Sequence, residues 1–254
     1  KKNGNSRFQK DKIFSRKLYR KRKFPELLRI SLFRVEHSFD YDYNDGNEVI
    51  TMIKEFLPFD VVRNDALKIA HKMYSDGFVP DVIYCSLRGG AYMANVISEY
   101  YKLVRKDYHP VLYASVVARS YTDVQQHEKV YVDGWTYAPE YLRPGDKIML
   151  VDDIFDSGRT INSLVEIFLQ RGVPRSNIKI VVHDYKRFTY HKEQQSIQPD
   201  YWCRLLEITK PEEDRWIHYL SHELVGLSKE ELEEYYFKDD PELRPVLEPL
   251  LGKV

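Results

Sequence analysis

Ten consecutive residues, Val151-Asp152-Asp153-Ile154-Phe155-Asp156-Ser157-Gly158-Arg159-Thr160, bring together three carboxylates, two hydroxyls, a glycine and a cation. The apolar run Ile148-Met149-Leu150 precedes them, so the acids stand where a buried strand ends. Apolar residues then recur at helical spacing from Thr160 to Arg171, with Gly172 placed as a helix C-cap. In an open α/β sheet, ligands bind beyond the carboxyl ends of the strands. Hydroxyls and backbone N–H groups at a helix start cradle an anion, and Gly158 lets the backbone come close to it. Acids beside a phosphate cradle are contradictory until the ligand is a phosphorylated sugar. Asp152 and Asp153 can then accept hydrogen bonds from sugar hydroxyls or lie near a hydroxyl-bound Mg²⁺. The simpler alternative, aspartates merely capping a helix, is outweighed by the ten-residue combination.

These residues need a scaffold, and the surrounding pattern supplies one. Val49, Met52, Ile53, Phe56 and Leu57 have three- and four-residue spacing, as do Ala66, Ile69, Ala70 and Met73, so both stretches are expected to be helical. Val82 to Cys85 reads as a buried strand after Pro80. Ser86-Leu87-Arg88-Gly89-Gly90 follows it, and a helix is expected from Ala91 to Tyr101. Strands are expected at Val111 to Val117, Ile148 to Val151 and Ile178 to Val182, with a polar, irregular stretch between Ser120 and Glu140. Buried strands separated by helices imply an α/β fold with a mainly parallel open sheet flanked by helices. From Pro199 onward the alternation stops, which suggests a small hood lobe over the sheet edge. The division expected is a basic extension over residues 1–44, a domain over 45–223 including the hood, and an acidic helical extension over 224–254.

Composition narrows the class. Across 254 residues, 43% hydrophobic and 31% charged side chains describe an ordinary globular protein with no apolar run near the ~20 residues of a membrane span. No secretory h-region is seen, and Cys85 and Cys203 form no ligand spacing or disulfide framework, so a cytoplasmic setting is expected. Net charge is zero, yet residues 1–23 are densely basic, with Asp11 their single acid, and the far end is acidic. A basic arm can bind nucleic acid; with no aromatic residues regularly interleaved, a solvated or internally packed segment is the favoured reading. No Gly-x-Gly-x-x-Gly or Walker-type loop is present, which excludes the common nucleotide-binding oxidoreductases and kinases.

The ten-residue motif resembles the signature of the type I phosphoribosyltransferases: an apolar strand, two acids, two mostly apolar residues, then Asp-Ser/Thr-Gly-basic-Thr. The likeness covers roughly residues 45–223 and is nearest to the hypoxanthine, guanine and xanthine (6-oxopurine) enzymes. It implies that phosphoribosyl pyrophosphate and a purine base are the substrates, with Mg²⁺ as cofactor and a homo-oligomer as the working form. Asp152 and Asp153 would hold the ribose hydroxyls, and Asp156 with Ser157, Gly158, Arg159 and Thr160 would hold the 5′-phosphate. Asp156 would also serve as general base. Leu87, Arg88, Gly89 and Gly90 would form the pyrophosphate loop, with a cis peptide expected at Leu87–Arg88. Arg119, Ser120 and Tyr121 would open a flexible loop, and Lys186, Trp216 and Ile217 would bind the base. The sequence departs from the pattern at Ser221-His222-Glu223, where the family tends to carry an aspartate. Glu223, with its longer arm, would be the replacement metal-side acid alongside Asp152 and Asp153, His222 being less suited to a hard metal ion; which of the two takes the place stays open. Two alternatives stay open: transfer to another base such as adenine or orotate, and a regulator that keeps the fold and binds nucleic acid.

Overall fold

The computed structural model describes residues 36–38, 53–105, 110–122, 128–190 and 196–251. The basic arm over residues 1–23 lies outside them. In chain order the main elements are β1 (Glu36–Ser38), β2 (Ile53–Leu57), α1 (Phe59–Ser75), β3 (Val82–Leu87), α2 (Ala91–Val104), β4 (Leu112–Thr122), β5 (Glu128–Trp135), β6 (Ile148–Phe155), α3 (Arg159–Gln170), β7 (Ile178–Phe188), β8 (Tyr201–Ile208), β9 (Arg215–Tyr219) and α4 (Lys229–Leu232).

Six strands form one sheet in the order β5-β4-β3-β6-β7-β8, parallel throughout except for the β4–β5 hairpin at one edge. Side chains on a strand alternate between faces, and the core divides accordingly. Ile83, Cys85, Met149 and Val151 join one apolar cluster with α1 and α2; Val82, Tyr84, Ile148 and Leu150 join a second with Ile161, Leu164, Val165 and Phe168 of α3. Strands buried on both faces read as continuous apolar runs, which is why β3, β6 and β7 are recognisable in the sequence. The α/β expectation holds.

Three expectations need correction. Ile53, Phe56 and Leu57 lie on a strand rather than a helix, because β2 pairs in parallel with β9, from Ile53↔Arg215 to Leu57↔Tyr219. Pro58 then stands as the N-cap of α1. A spacing of three or four over a few apolar residues does not distinguish a helix from a short strand. Residues 128–135 are not irregular but the second arm of the β4–β5 hairpin, and residues 201–208 extend the main sheet rather than leaving it. Both are edge strands, where polar side chains interrupt the apolar pattern. The hood is a separate sheet, β1-β2-β9, assembled from segments far apart in the sequence. Residues 224–251 pack against it: Phe56 stacks on Tyr235 at 4.2 Å, and Leu227, Leu232 and Phe237 form a small third core. The buried Lys54 ammonium meets Glu231 at 3.0 Å and also donates to the Gly226 carbonyl.

Hood and main sheet meet around Asp184 of β7, which is fully buried. Its carboxylate accepts from His183 Nδ1 at 2.8 Å, from Tyr219 Oη at 2.6 Å and from Arg204 Nε. Arg204 also donates to Glu55 of β2 at 2.6 Å, and Glu55 receives Arg215 of β9 at 3.3 Å. His183 Nε2 lies 3.5 Å from Asp65 on α1. Burial alone would raise the Asp184 pKa, but the His183 hydrogen bond and then the Arg204 charge hold it below the usual carboxylate range. Burial alone would lower His183, but bonds to Asp184 and Asp65 hold it above the usual imidazole range.

Two outcomes follow for stability. Asp184→Ala strands Arg204 and His183 without their acceptor and should cost about 3–5 kcal/mol in urea denaturation. The His183 contribution is full below the ordinary imidazole pKa and is lost as pH rises through its raised folded value. The Asp184 contribution is present above the ordinary carboxylate pKa and is lost only as pH falls through its depressed value. The chain should therefore unfold more easily at about pH 9 than at about pH 6. His183→Gln should flatten that difference.

Candidate active site

The carboxyl ends of β3, β6 and β7 converge, as the parallel pairing requires. Toward its carboxyl end β6 carries Asp152 and Asp153, and their carboxylates turn back on the local chain: Asp153 N–H donates to Asp152 Oδ1 at 3.1 Å, and Ile154 N–H to Asp153 Oδ1 at 2.8 Å. Burial first, and the neighbouring Asp153 second, push the Asp152 carboxyl well above the usual range, although Ser86 on β3 hydrogen-bonds it. A cation or a pair of hydroxyls is the natural complement to two such acids side by side.

The loop after β3 presses onto this acidic end. The Leu87–Arg88 peptide is cis, as the resemblance implied. Gly90 N–H donates to the Ser86 carbonyl at 2.9 Å and starts α2. A Cβ on Gly90 would overlap the Val151 carbonyl and sit 3.0 Å from both Asp152 Cα and the Ser86 carbonyl; one on Gly89 would overlap the Asp153 carboxylate. The glycines are thus what allows loop and acids to touch. Arg88, between them and the cis bond, is exposed.

Beyond β6, Asp156 and Ser157 are exposed, and Gly158 turns the chain at φ 74°, the left-handed region that favours glycine. α3 begins at once, so its first N–H groups face the turn. The turn is anchored by a residue that sequence reasoning missed. Asn162, buried on the apolar face of α3, donates to the Gly158 carbonyl at 2.8 Å and to the Ile197 carbonyl at 3.0 Å, while its Oδ1 accepts from Ile197 N–H at 3.1 Å. A lone amide among Ile161, Leu164 and Val165 was the available signal.

At the end of β7, Lys186 is buried and its ammonium lies 2.6 Å from Asp214 and 3.5 Å from Asp156. Asp214 also went unpredicted; it immediately precedes β9 and accepts from Arg215 N–H at 2.8 Å. Trp216 is half-buried, with Lys54 over its ring at 5.7 Å and Gly226 against its edge. The Ile217 side chain is in the main core. Glu223 is turned away from the strand-end acids: it accepts from Tyr219 N–H at 3.0 Å and lies 3.6 Å from His218, and burial raises its pKa. Its neighbour His222 is the residue that meets Asp153, at 3.2 Å. The structure therefore brings Asp152, Asp153, Asp156 to Thr160, the Leu87 to Gly90 loop and Lys186 to one end of the sheet, and it does not bring Glu223 onto Asp153. Arg119, Ser120 and Tyr121 continue β4, paired with Tyr131, Val130 and Lys129; their side chains lie outside the described residues.

Among the described residues no group of three or more His, Cys, Asp or Glu side chains is arranged to hold a metal. Two adjacent carboxylates suit Mg²⁺ all the same, since that ion is commonly held by one or two acids plus substrate phosphates.

The two glycines should behave differently when replaced. Gly90→Ala meets backbone and should cost more than about 2 kcal/mol of stability, as overpacking does. Gly89→Ala meets a side-chain carboxylate rather than backbone, one that can shift by giving up its Ile154 and His222 hydrogen bonds, and should cost less. Urea denaturation of both variants checks the ordering.

No curated protein matches the chain. Among solved structures it resembles a purine phosphoribosyltransferase from Pyrococcus horikoshii Ot3, with 22% identity and a TM-score of 0.51, covering 69% of this chain and 99% of that one. It also resembles a hypothetical protein from Neisseria gonorrhoeae with bound ppGpp, with 18% identity and a TM-score of 0.51, covering 68% and 90% of the two chains. At these identities the likeness is one of fold. The family described as a phosphoribosyl transferase domain matches residues 60–217, the stretch from the start of α1 to the middle of β9. That span holds the strand-end acids, the glycine loop that touches them and the Gly158 turn before α3, and the chain accordingly belongs to the phosphoribosyl transferase domain family.

Proposed function

We propose that the protein transfers the 5-phosphoribosyl group from phosphoribosyl pyrophosphate to a 6-oxopurine base, releasing pyrophosphate. The observation that carries the choice of base is the Lys186 ammonium, 2.6 Å from Asp214 and 3.5 Å from Asp156. A buried donor beside an exposed acceptor fits a heterocycle with a carbonyl oxygen next to a ring N–H. A 6-oxopurine presents O6 and N7 in that relation. Adenine would turn an amino group toward the lysine, placing donor against donor.

In this reading the sugar hydroxyls rest on Asp152 and Asp153, and the 5′-phosphate sits on the Ser157 to Thr160 turn. Arg88 and the Gly89-Gly90 backbone receive the pyrophosphate. The base nitrogen attacks C1, the bond from C1 to the pyrophosphate oxygen breaks, and the electron pair leaves with pyrophosphate. The proton lost by the base passes to Asp156, whose side chain is 52% exposed and so open to the incoming ring. Asp214 holds Lys186 as a donor while leaving Asp156 available. Mg²⁺, when bound with the substrate, neutralises charge on the leaving group. Positioning and electrostatic complementarity supply most of the remainder. A cytoplasmic setting and a homo-oligomer accompany the proposal.

A pyrophosphate-release assay with Mg²⁺, phosphoribosyl pyrophosphate and hypoxanthine, guanine, xanthine, adenine or orotate tests it. Turnover with one or more of the first three and not with the others is expected; transfer only to adenine or orotate would refute the choice of base. Asp156→Asn should lower kcat by about 10²–10⁴, the usual span for general-base removal, with KM changed far less. Unchanged kcat would remove Asp156 from the proton's path.

A further inference from the structure

His222 is built onto the strand-end acids, yet the transfer reaction as derived above gives it no task. It follows β9 by three residues, and its Nε2 lies 3.2 Å from Asp153 Oδ2. Facing a carboxylate, Nε2 is the donor. Two separate contacts hold the ring in place. Ser221 Oγ is 2.9 Å from Nδ1, and the Tyr219 ring lies nearly parallel to the imidazole, with centroids 5.3 Å apart and planes at 18°. Tyr219 is itself pinned, its hydroxyl 2.6 Å from Asp184 and 3.1 Å from the Asp153 carbonyl. The imidazole therefore stacks on a ring whose hydroxyl end is held in place.

The carboxylate it meets is restrained on its other sides too. Asp153 Oδ1 accepts the Ile154 N–H at 2.8 Å, and Gly89 lies so close that a Cβ there would overlap both oxygens. An aspartate at a strand end samples several side-chain rotamers when unrestrained. Fixing it in one orientation before a ligand arrives removes an ordering cost from binding. Among the described residues, His222 supplies the side-chain contact to this carboxylate that comes from the hood. Its neighbour Glu223 contributes none, being committed to Tyr219 N–H.

We infer that His222 is a positioning residue for Asp153: it holds the carboxylate turned toward the sugar hydroxyls and ties the hood to the phosphoribosyl pyrophosphate half of the site. The inference rests on the proposed function in taking the ribose diol as the ligand of Asp153. A residue that only stabilised the turn after β9 would affect folding without favouring one substrate over the other.

The test uses the full chain with His222→Ala, His222→Gln and His222→Asn, each checked by thermal melting. Phosphoribosyl pyrophosphate binding is measured by calorimetry with Mg²⁺, and KM is measured for both substrates. Gln can place its amide N–H near the position of Nε2, whereas Ala has no donor and Asn is too short. Loss of one charge-assisted hydrogen bond should weaken phosphoribosyl pyrophosphate binding about tenfold in the Ala variant and raise its KM similarly. The KM for the purine should stay within about twofold, and Gln should restore most of the affinity. Equal phosphoribosyl pyrophosphate affinity in wild type and Ala variant would overturn the inference, as would a change confined to the purine KM or a Gln variant no better than Ala. If the Ala variant does not fold, the Gln and Asn variants carry the same comparison. A wild-type protein that binds no phosphoribosyl pyrophosphate would overturn the proposed function and this inference together. One that binds and turns over, with His222 variants indifferent, would overturn this inference alone.

Discussion

A carboxylate with no access to water must be met by donors on every side or it cannot stay charged, and Asp184 imposes that requirement on the whole molecule. Its acceptors are filled by His183 beside it, Arg204 on the edge strand and Tyr219 in the hood. Arg204 in turn needs Glu55, and His183 faces Asp65 on the first helix. One buried charge thus fixes where β8, the hood and α1 stand relative to β7. Apolar packing between the same elements would hold them together but would tolerate sliding; a hydrogen-bonded ion network does not.

That fixity matters because the candidate site has no single owner. The strand-end acids come from β6, the loop that touches them from β3, the glycine turn from the start of α3, the lysine from β7, and Trp216 from β9. Tyr219 shows how the two levels connect. Its hydroxyl serves Asp184 while lying against the Asp153 backbone, and its ring carries His222. Burial and the Asp184 charge push its phenol well above the usual range, so it remains a hydroxyl at any ordinary pH.

The strand-end acids, the glycine loop and the turn before α3 were legible because the residues that form them are local in sequence. Val151 to Thr160 lie in sequence as they lie in space, and Gly89 and Gly90 mark a close approach that only a missing Cβ permits. What escaped was non-local. Asp214 reads as one acid among several in Pro211-Glu212-Glu213-Asp214, and nothing in its surroundings announces a lysine 28 residues earlier. Asn162 was visible only as a polar interruption of an apolar helix face. The strand nature of Ile53–Leu57 depends on a partner more than 150 residues away, and β8 is an edge strand whose Arg204 and Glu207 break the apolar pattern. At Ser221-His222-Glu223, charge favours Glu223 as the metal-side residue, whereas Glu223 is committed to Tyr219 N–H and it is the His222 imidazole that meets Asp153.

The parallel pairing of β2 with β9 also sets an order of events for a chain made from one end. β3, β4, β6 and β7 can find one another while synthesis continues, each pairing closing a comparatively short stretch of chain. β2 emerges early but must wait for Arg215–Tyr219, and until then it is a strand with an open edge and the apolar faces of Phe56 and Leu57 uncovered. Such edges are where nascent chains mispair. The sheet that carries Trp216 is therefore completed only after the main sheet, and the time until Arg215–Tyr219 emerges decides how long the half-built hood is exposed to other chains.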